Sequence, residues 1–255
     1  MSRNLTLPLF VFYFFDNFQV MHVIPSEADW GGAAAWAYLP GRVSAFQDSY
    51  SWRMGVQMHE FGHNIALHHS GENGAAYADN SCLMGATSYD DDGPKVCWNA
   101  AKSWESGWYA ADSLTVDPTV GFDGLLVGVA DFASNAYTPG DHKVVLQILD
   151  ESRSQDFYVI FNRKKGPNGG VGYAADRVTV TLGASRQVSW HQASLGVNAL
   201  SNNFETFRAP KWSNDPNVEG TQDLVIKVCD MTFSSSGGPD TAHVLVYLDD
   251  GAACK

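Results

Sequence analysis

The chain has 255 residues, enough for one large domain or two small ones with a substantial core. Hydrophobic residues make up 45% of it, charged residues only 17%, and there are 24 glycines, which excludes extensive disorder. With 16 Lys and Arg against 28 Asp and Glu, the net charge of −12 repels phosphate backbones and anionic lipid, setting aside nucleic-acid and membrane-surface binding.

Residues 5–15 form an apolar run about as long as a signal-peptide core and too short to span a bilayer. The following Asp16, Asn17 and Phe18 provide no small-residue cleavage site, so segment 1–17 reads either as signal-like or as a buried strand feeding residues 20–25. Residues 52–67 place Val56, His59, Glu60, His63 and Leu67 at steps of three and four, which predicts a helix with one defined face. Residues 76–109 are rich in Gly, Asp, Ser and aromatics without a sustained period, predicting ordered loops and a second helix at 99–107. Beyond Gly121 the pattern turns to short strands at 124–129, 143–149, 157–161, 177–182, 224–228 and 244–248, separated by turn clusters. That spacing predicts an all-β sandwich or barrel. Asp112, Pro118 and Gly121 interrupt both patterns and put the boundary near 110–122.

The four cysteines stand as one pair in each half of the chain. Pairing neighbours predicts Cys82–Cys97 and Cys229–Cys254, hence an oxidising compartment; four reduced core cysteines in a cytosolic protein have the same count.

Chemistry concentrates in His59-Glu60-Phe61-Gly62-His63. Two histidines at i and i+4 project from one helix face and can share a tetrahedral Zn²⁺, while Glu60 points beside the metal rather than onto it. His69, ten residues after the first and just past the helix end, supplies a third nitrogen; the spacing selects it over the adjacent His68. Three imidazoles favour zinc over Ca²⁺ or Mg²⁺ and leave a fourth position for water, the pattern of catalytic rather than structural zinc. Without a metal, a core helix would have to bury these histidines and this glutamate paired or neutralised.

The run from His59 to His69 resembles the extended zinc motif of the metzincin metallopeptidases. Tyr77-Ala78-Asp79-Asn80-Ser81-Cys82-Leu83-Met84-Gly85, Cys97-Trp98-Asn99-Ala100-Ala101-Lys102-Ser103-Trp104, Gly107-Trp108-Tyr109 and Phe161-Asn162-Arg163-Lys164-Lys165-Gly166 narrow the resemblance to the gametolysin-type peptidases, over about residues 18–165. With the strand pattern, it implies an α+β metzincin-like catalytic domain at 18–115 followed by an all-β sandwich domain at 116–255. His59, His63 and His69 would be the zinc ligands, Glu60 the general base and Met84 the methionine of the tight turn beneath the metal. The implied protein is a secreted zinc endopeptidase acting on protein or glycoprotein substrates of the extracellular space or cell wall. Its metal-activated water passes a proton through the glutamate, with no covalent intermediate.

The chain departs from the family pattern at three places. Ala66 stands where metzincins have a glycine at positive φ, at a cost of roughly 1 kcal/mol or more. Only 58 residues precede His59, so a truncated upper subdomain is expected, with residues 31–45 as the cleft wall that faces an extended substrate. Some metzincins place a tyrosine two residues after the turn methionine; that position is Ala86, and the nearest transition-state donor is Tyr89. Asp90-Asp91-Asp92-Gly93 offers oxygen ligands without the spacing of a calcium loop and reads as a solvated acidic turn.

No G-x-S-x-G elbow or phosphate-binding loop is present. His142, His191 and His243 stand isolated and read as structural, and Trp190 and Trp212 as core rather than as a sugar platform. The rival readings are a non-catalytic extracellular binding or matrix protein that retains a zinc site, and an intracellular β-protein with reduced thiols.

Overall fold

The structure is a computed structural model that describes residues 9–14, 17–28, 31–86, 96–132, 142–150, 154–184, 194–201, 204–213, 220–249 and 253–254. In chain order the regular elements are β1 (Leu9–Phe14), β2 (Asn17–Ile24), β3 (Ala35–Ala37), β4 (Val43–Gln47), α1 (Met54–Asn64), β5 (Ser70–Gly71), α2 (Ala100–Ser106), β6 (Ser113–Val116), β7 (Phe122–Val127), β8 (Val145–Ile148), β9 (Gln155–Asn162), β10 (Arg177–Ala184), β11 (Ser194–Leu200), β12 (Thr206–Trp212), β13 (Gln222–Thr232) and β14 (Thr241–Leu248). The chain is thus mostly β, with several sheets. Among the described residues, no helix is long and apolar enough to cross a membrane.

A four-stranded sheet of order β1-β2-β4-β3 precedes the first helix. β1 and β2 form an antiparallel hairpin, β2 runs parallel to β4, and β3 lies antiparallel to β4 at the edge. Much of the apolar run at 5–15 is therefore strand, and residues 31–45 are backed by β2 and the hairpin rather than standing alone.

Two further sheets have the orders β5-β11-β10-β9-β8-β6 and β12-β13-β14-β7. One apolar cluster draws on both, including Leu146, Phe157 and Phe161 from the first and Leu224, Ile226 and Val244 from the second. Alternation along β9 explains its uninterrupted apolar run. Phe157, Val159 and Phe161 enter that shared cluster, while Tyr158 and Ile160 face the other way, onto Ala100 and Ala101 of α2. Truncating one such buried side chain to alanine costs about 2–5 kcal/mol.

All six predicted strands of the second half are present, in β7, β8, β9, β10, β13 and β14, with shifted ends. The strands not predicted carry residues that weaken strand propensity: β11 contains Gly196 and Asn198, and β12 contains Pro210. β12 accommodates its proline as an edge strand with a bulge, where Lys211 takes a φ of 61°.

α2 falls within the predicted 99–107, whose end residues are its caps. The Asn99 side chain accepts from Lys102 N at 3.0 Å, and Gly107 closes the helix at a φ of 71°. α1 is shorter than the predicted 52–67, for reasons that matter to the site below.

The cysteine expectation holds for one pair and is corrected for the other. Cys229 and Cys254 are bonded, with Cα atoms 5.5 Å apart. Cys82 and Cys97 are free thiols. Fully buried Cys82 turns its sulfur into the loop beneath α1, where Sγ accepts from Met84 N at 3.4 Å and Asn99 N at 3.3 Å. Burial pushes this thiol up to about 12 and that of half-buried Cys97 up to about 11, so both stay protonated.

Candidate metal centre

α1 carries His59, Glu60 and His63 and ends in a six-to-one turn. Ala66 N donates to His63 O and Leu67 N to Gly62 O, both at 2.9 Å, and Ala66 sits at a φ of 76°. Alanine therefore adopts the conformation that the metzincin pattern assigns to glycine. This reversal stops the helix at Asn64 and sends the chain back, so that His69 approaches the two helix histidines. Asn64 fixes the same corner from above by donating to Tyr38 O at 3.0 Å and Val43 O at 3.1 Å.

One ligand nitrogen from each of His59, His63 and His69 lies within 4.8 Å of the others. His59 Nδ1 donates to Leu83 O at 2.9 Å and His63 Nδ1 to Leu67 O at 2.8 Å. A carbonyl only accepts, so both rings carry hydrogen on Nδ1 and keep a lone pair on Nε2. His63 Nε2 and His69 Nε2 are 3.0 Å apart, close to the edge of about 3.3–3.4 Å in a tetrahedron with metal–nitrogen bonds of about 2.0–2.1 Å. Burial, reinforced by mutual repulsion, pulls His59 and His69 down to about 4; burial also lowers His63. All three are neutral at pH 7, the form that binds a cation.

The floor of the site is apolar: Leu67, Cys82, Leu83, Met84 and Trp98 form one buried cluster. Met84 fits directly under the helix because position 62 is glycine. A Cβ there would stand 2.4 Å from Met84 Sδ. Gly85 meets a similar limit, since its Cβ would fall 2.0 Å from Asp79 O. The resulting turn is closed by Gly85 N donating to Cys82 O at 2.9 Å.

Below and beside this floor lies a buried polar cluster. Asp79 accepts from Ser70 Oγ at 2.6 Å, from Ser81 N at 3.0 Å and Ser81 Oγ at 2.5 Å, and from Asn99 Nδ2 at 2.9 Å. Asn99 Nδ2 is also 2.7 Å from Ser70 Oγ and 3.0 Å from Ser194 Oγ. One carboxylate thus ties together the loop after His69, the Met84 turn and the start of α2.

A cavity of about 470 Å³ opens over the histidines. Val56 and Glu60 of α1 line one side, Ala33–Ala37 residues of the β3 edge another, and Tyr77 a third. Glu60 is 6% exposed, and among the described residues its Oε2 has no hydrogen-bond partner. Burial lifts this carboxyl to about 7, the range useful for proton transfer at neutral pH. A buried acceptor with nothing to accept from, beside three neutral imidazoles, is the donor set that a divalent metal and its water would complete.

The structure thus brings His59, Glu60, His63, His69 and Met84 to one place. Tyr89 and the turn at 90–93 lie outside the described residues, as do Trp190 and His191. Trp212 belongs to the shared core and donates Nε1 to Leu149 O at 2.7 Å, while His243 pairs with Asp123 at 2.6 Å. Sequence reasoning did not single out Tyr77, whose ring lies 3.9 Å from that of His69, centroid to centroid. Nor did it find the Asp79 cluster, whose sequence signal is the Asp-x-Ser of residues 79–81, a local Asx turn.

Three neutral imidazoles around one point, in a cavity that Glu60 also lines, form a group that could hold a metal ion. The family model of gametolysin peptidase M11 matches residues 8–144, more than half of the chain, and the chain belongs to this metallopeptidase family. Neither curated proteins nor solved structures provide a match.

Proposed function

We propose that the chain is a zinc-dependent endopeptidase with His59, His63 and His69 as metal ligands, Glu60 as general base and Met84 as the turn methionine. The observation that carries this reading is Glu60, which lines the same cavity as the three imidazoles and, among the described residues, buries its Oε2 without a hydrogen-bond partner. A bound zinc ion supplies Lewis acidity, polarising a scissile carbonyl and making a water easier to deprotonate. Glu60 takes the water proton on its carboxylate and returns it to the leaving nitrogen, a task suited to a carboxyl lifted towards neutral pH by burial. The Nδ1 bonds to Leu83 O and Leu67 O hold two ligand rings at fixed angles throughout.

An extended peptide would lie along the cavity where residues 33–37, at the β3 end of the sheet, line it. On this reading residues 18–115 form an α+β metzincin-like catalytic domain, and residues 116–255 supply most of a β-sandwich whose two sheets share one core, β5 and β6 of the first region completing the six-stranded sheet. The Cys229–Cys254 bond supports a secreted protein whose substrates are extracellular or cell-wall proteins.

Metal content and casein hydrolysis, measured on the parent and on Glu60→Gln, test the reading. Equal zinc in both with hydrolysis by the parent alone supports it. Equal zinc with hydrolysis by neither supports a non-catalytic binding protein instead.

A further inference from the structure

His69 is held differently from the other two imidazoles. His59 and His63 ride on a helix and each anchors Nδ1 on a backbone carbonyl. His69 stands on the returning loop, and among the described residues no backbone carbonyl holds its ring; its ring neighbours are His59, His63 and Tyr77. What fixes its position is main chain. Ser194 N donates to His69 O at 3.2 Å, and the next two residues, Ser70 and Gly71, pair in parallel with Ser194 and Leu195 as the end strand of the six-stranded sheet. Gly71 is pressed close on the other side, where a Cβ would stand 2.6 Å from Ala75 O.

The serine side chains lock this pairing. Ser70 and Ser194 are both fully buried, and Ser194 Oγ donates to Ser70 Oγ at 2.9 Å while Ser70 Oγ donates to Asp79. Asn99 Nδ2 reaches both hydroxyls. A hydroxyl 124 residues downstream of Ser70 is therefore part of the network that sets the loop of the third ligand. The family match ends at residue 144, well short of it.

We propose that β11 is a working part of the metal centre, with Ser194 as a positioning residue that places His69 against His59 and His63. This rests on the three-histidine metal reading and extends it: the β-region does more than follow the catalytic part, because one of its strands sets the geometry of a ligand. Loss of the Ser194 hydroxyl removes one of the two donors to Ser70 Oγ and one of the acceptors of Asn99 Nδ2, and with them the side-chain link between β5 and β11, so the loop gains freedom at the position of His69. Networks of this kind change metal affinity by about 10–100-fold.

The test uses the full chain and cobalt(II) as the probe, because its visible absorption reports the number and geometry of nitrogen ligands. Cobalt affinity is measured by chelator competition for the parent, Ser194→Ala and Ser70→Ala, with Val197→Ala, an exposed β11 position, as control. Circular dichroism records the folded fraction of each. The expected result is about 10-fold weaker cobalt binding and an altered visible spectrum in both serine variants, at full folding, with the control unchanged. Serine variants that lose thermal stability but keep parental affinity and spectrum would reduce Ser194 to a structural role and overturn the proposal. A parent that binds no cobalt would overturn the metal reading itself, and this inference with it.

Discussion

Replacing Ala66 with glycine should stabilise the chain while leaving the site in place. Ala66 is held at a φ of 76°, where the Cβ of an L-residue crowds the following carbonyl at a cost of about 1–2 kcal/mol. The angle cannot relax, because Ala66 N and Leu67 N are committed to the carbonyls of His63 and Gly62 in the turn that delivers His69. Against the relief stands the greater freedom of glycine in the unfolded chain, about 0.4–1 kcal/mol. The net gain is centred on about 0.8 kcal/mol, or about 2–3 °C in Tm for a chain of this size. Urea unfolding followed by circular dichroism measures it: the midpoint of Ala66→Gly should rise at unchanged slope. Ala101→Gly, at a buried position in the first turn of α2, is the control of opposite sign, with a loss of up to about 1 kcal/mol from helix propensity alone. A midpoint that stays or falls in Ala66→Gly would refute the strained-turn account of how α1 ends.

Gly62→Ala should act in the other direction: its Cβ meets Met84 Sδ, and overpacking of this kind costs about 1–3 kcal/mol, read as a lower Tm together with weaker metal retention on dialysis. Thiol titration of the denatured, unreduced chain should find the free sulfurs of Cys82 and Cys97 alone, whereas four reactive thiols would deny the Cys229–Cys254 bond. Closing that 25-residue separation contributes about 3–4 kcal/mol, so reduction should lower the unfolding midpoint markedly. Burial pushes the Asp240 carboxyl up, but the bonds from Arg163 at 2.6 Å and Ser234 N at 2.6 Å, with the Lys165 charge, outweigh it and hold the group below its usual range. Its contribution is therefore present above about pH 4 and lost as pH falls further, so the stability gap between parent and Asp240→Asn should be open at pH 6 and narrow in acid.

The convergence of the three histidines was readable from sequence because its decisive geometry is local. Two histidines four apart on a helix must share a face, and the third needs only a sharp helix end, which Ala66 marks as a departure from glycine. What escaped was long-range. The Ser70–Ser194 contact spans 124 residues, and β11, which carries Ser194, contains a glycine and an asparagine that mask its strand character. Pairing cysteines by proximity failed at Cys82 for a related reason: the chain turns its sulfur towards amide donors under the helix, and sequence distance carries no information about that direction. The unpredicted β12 is an edge strand whose proline is tolerated only because that edge and its bulge leave the nitrogen without a required partner.

The most direct test of the three-histidine centre is metal removal and return. The purified chain is assayed for metal and for casein hydrolysis before chelation, after it, and after stepwise addition of zinc. The account predicts one zinc per chain, hydrolysis lost with the metal and restored as one equivalent returns, and no retained zinc when His59, His63 and His69 are all replaced by alanine. Hydrolysis that persists in the metal-free chain, or one zinc still held by the triple variant, would contradict it.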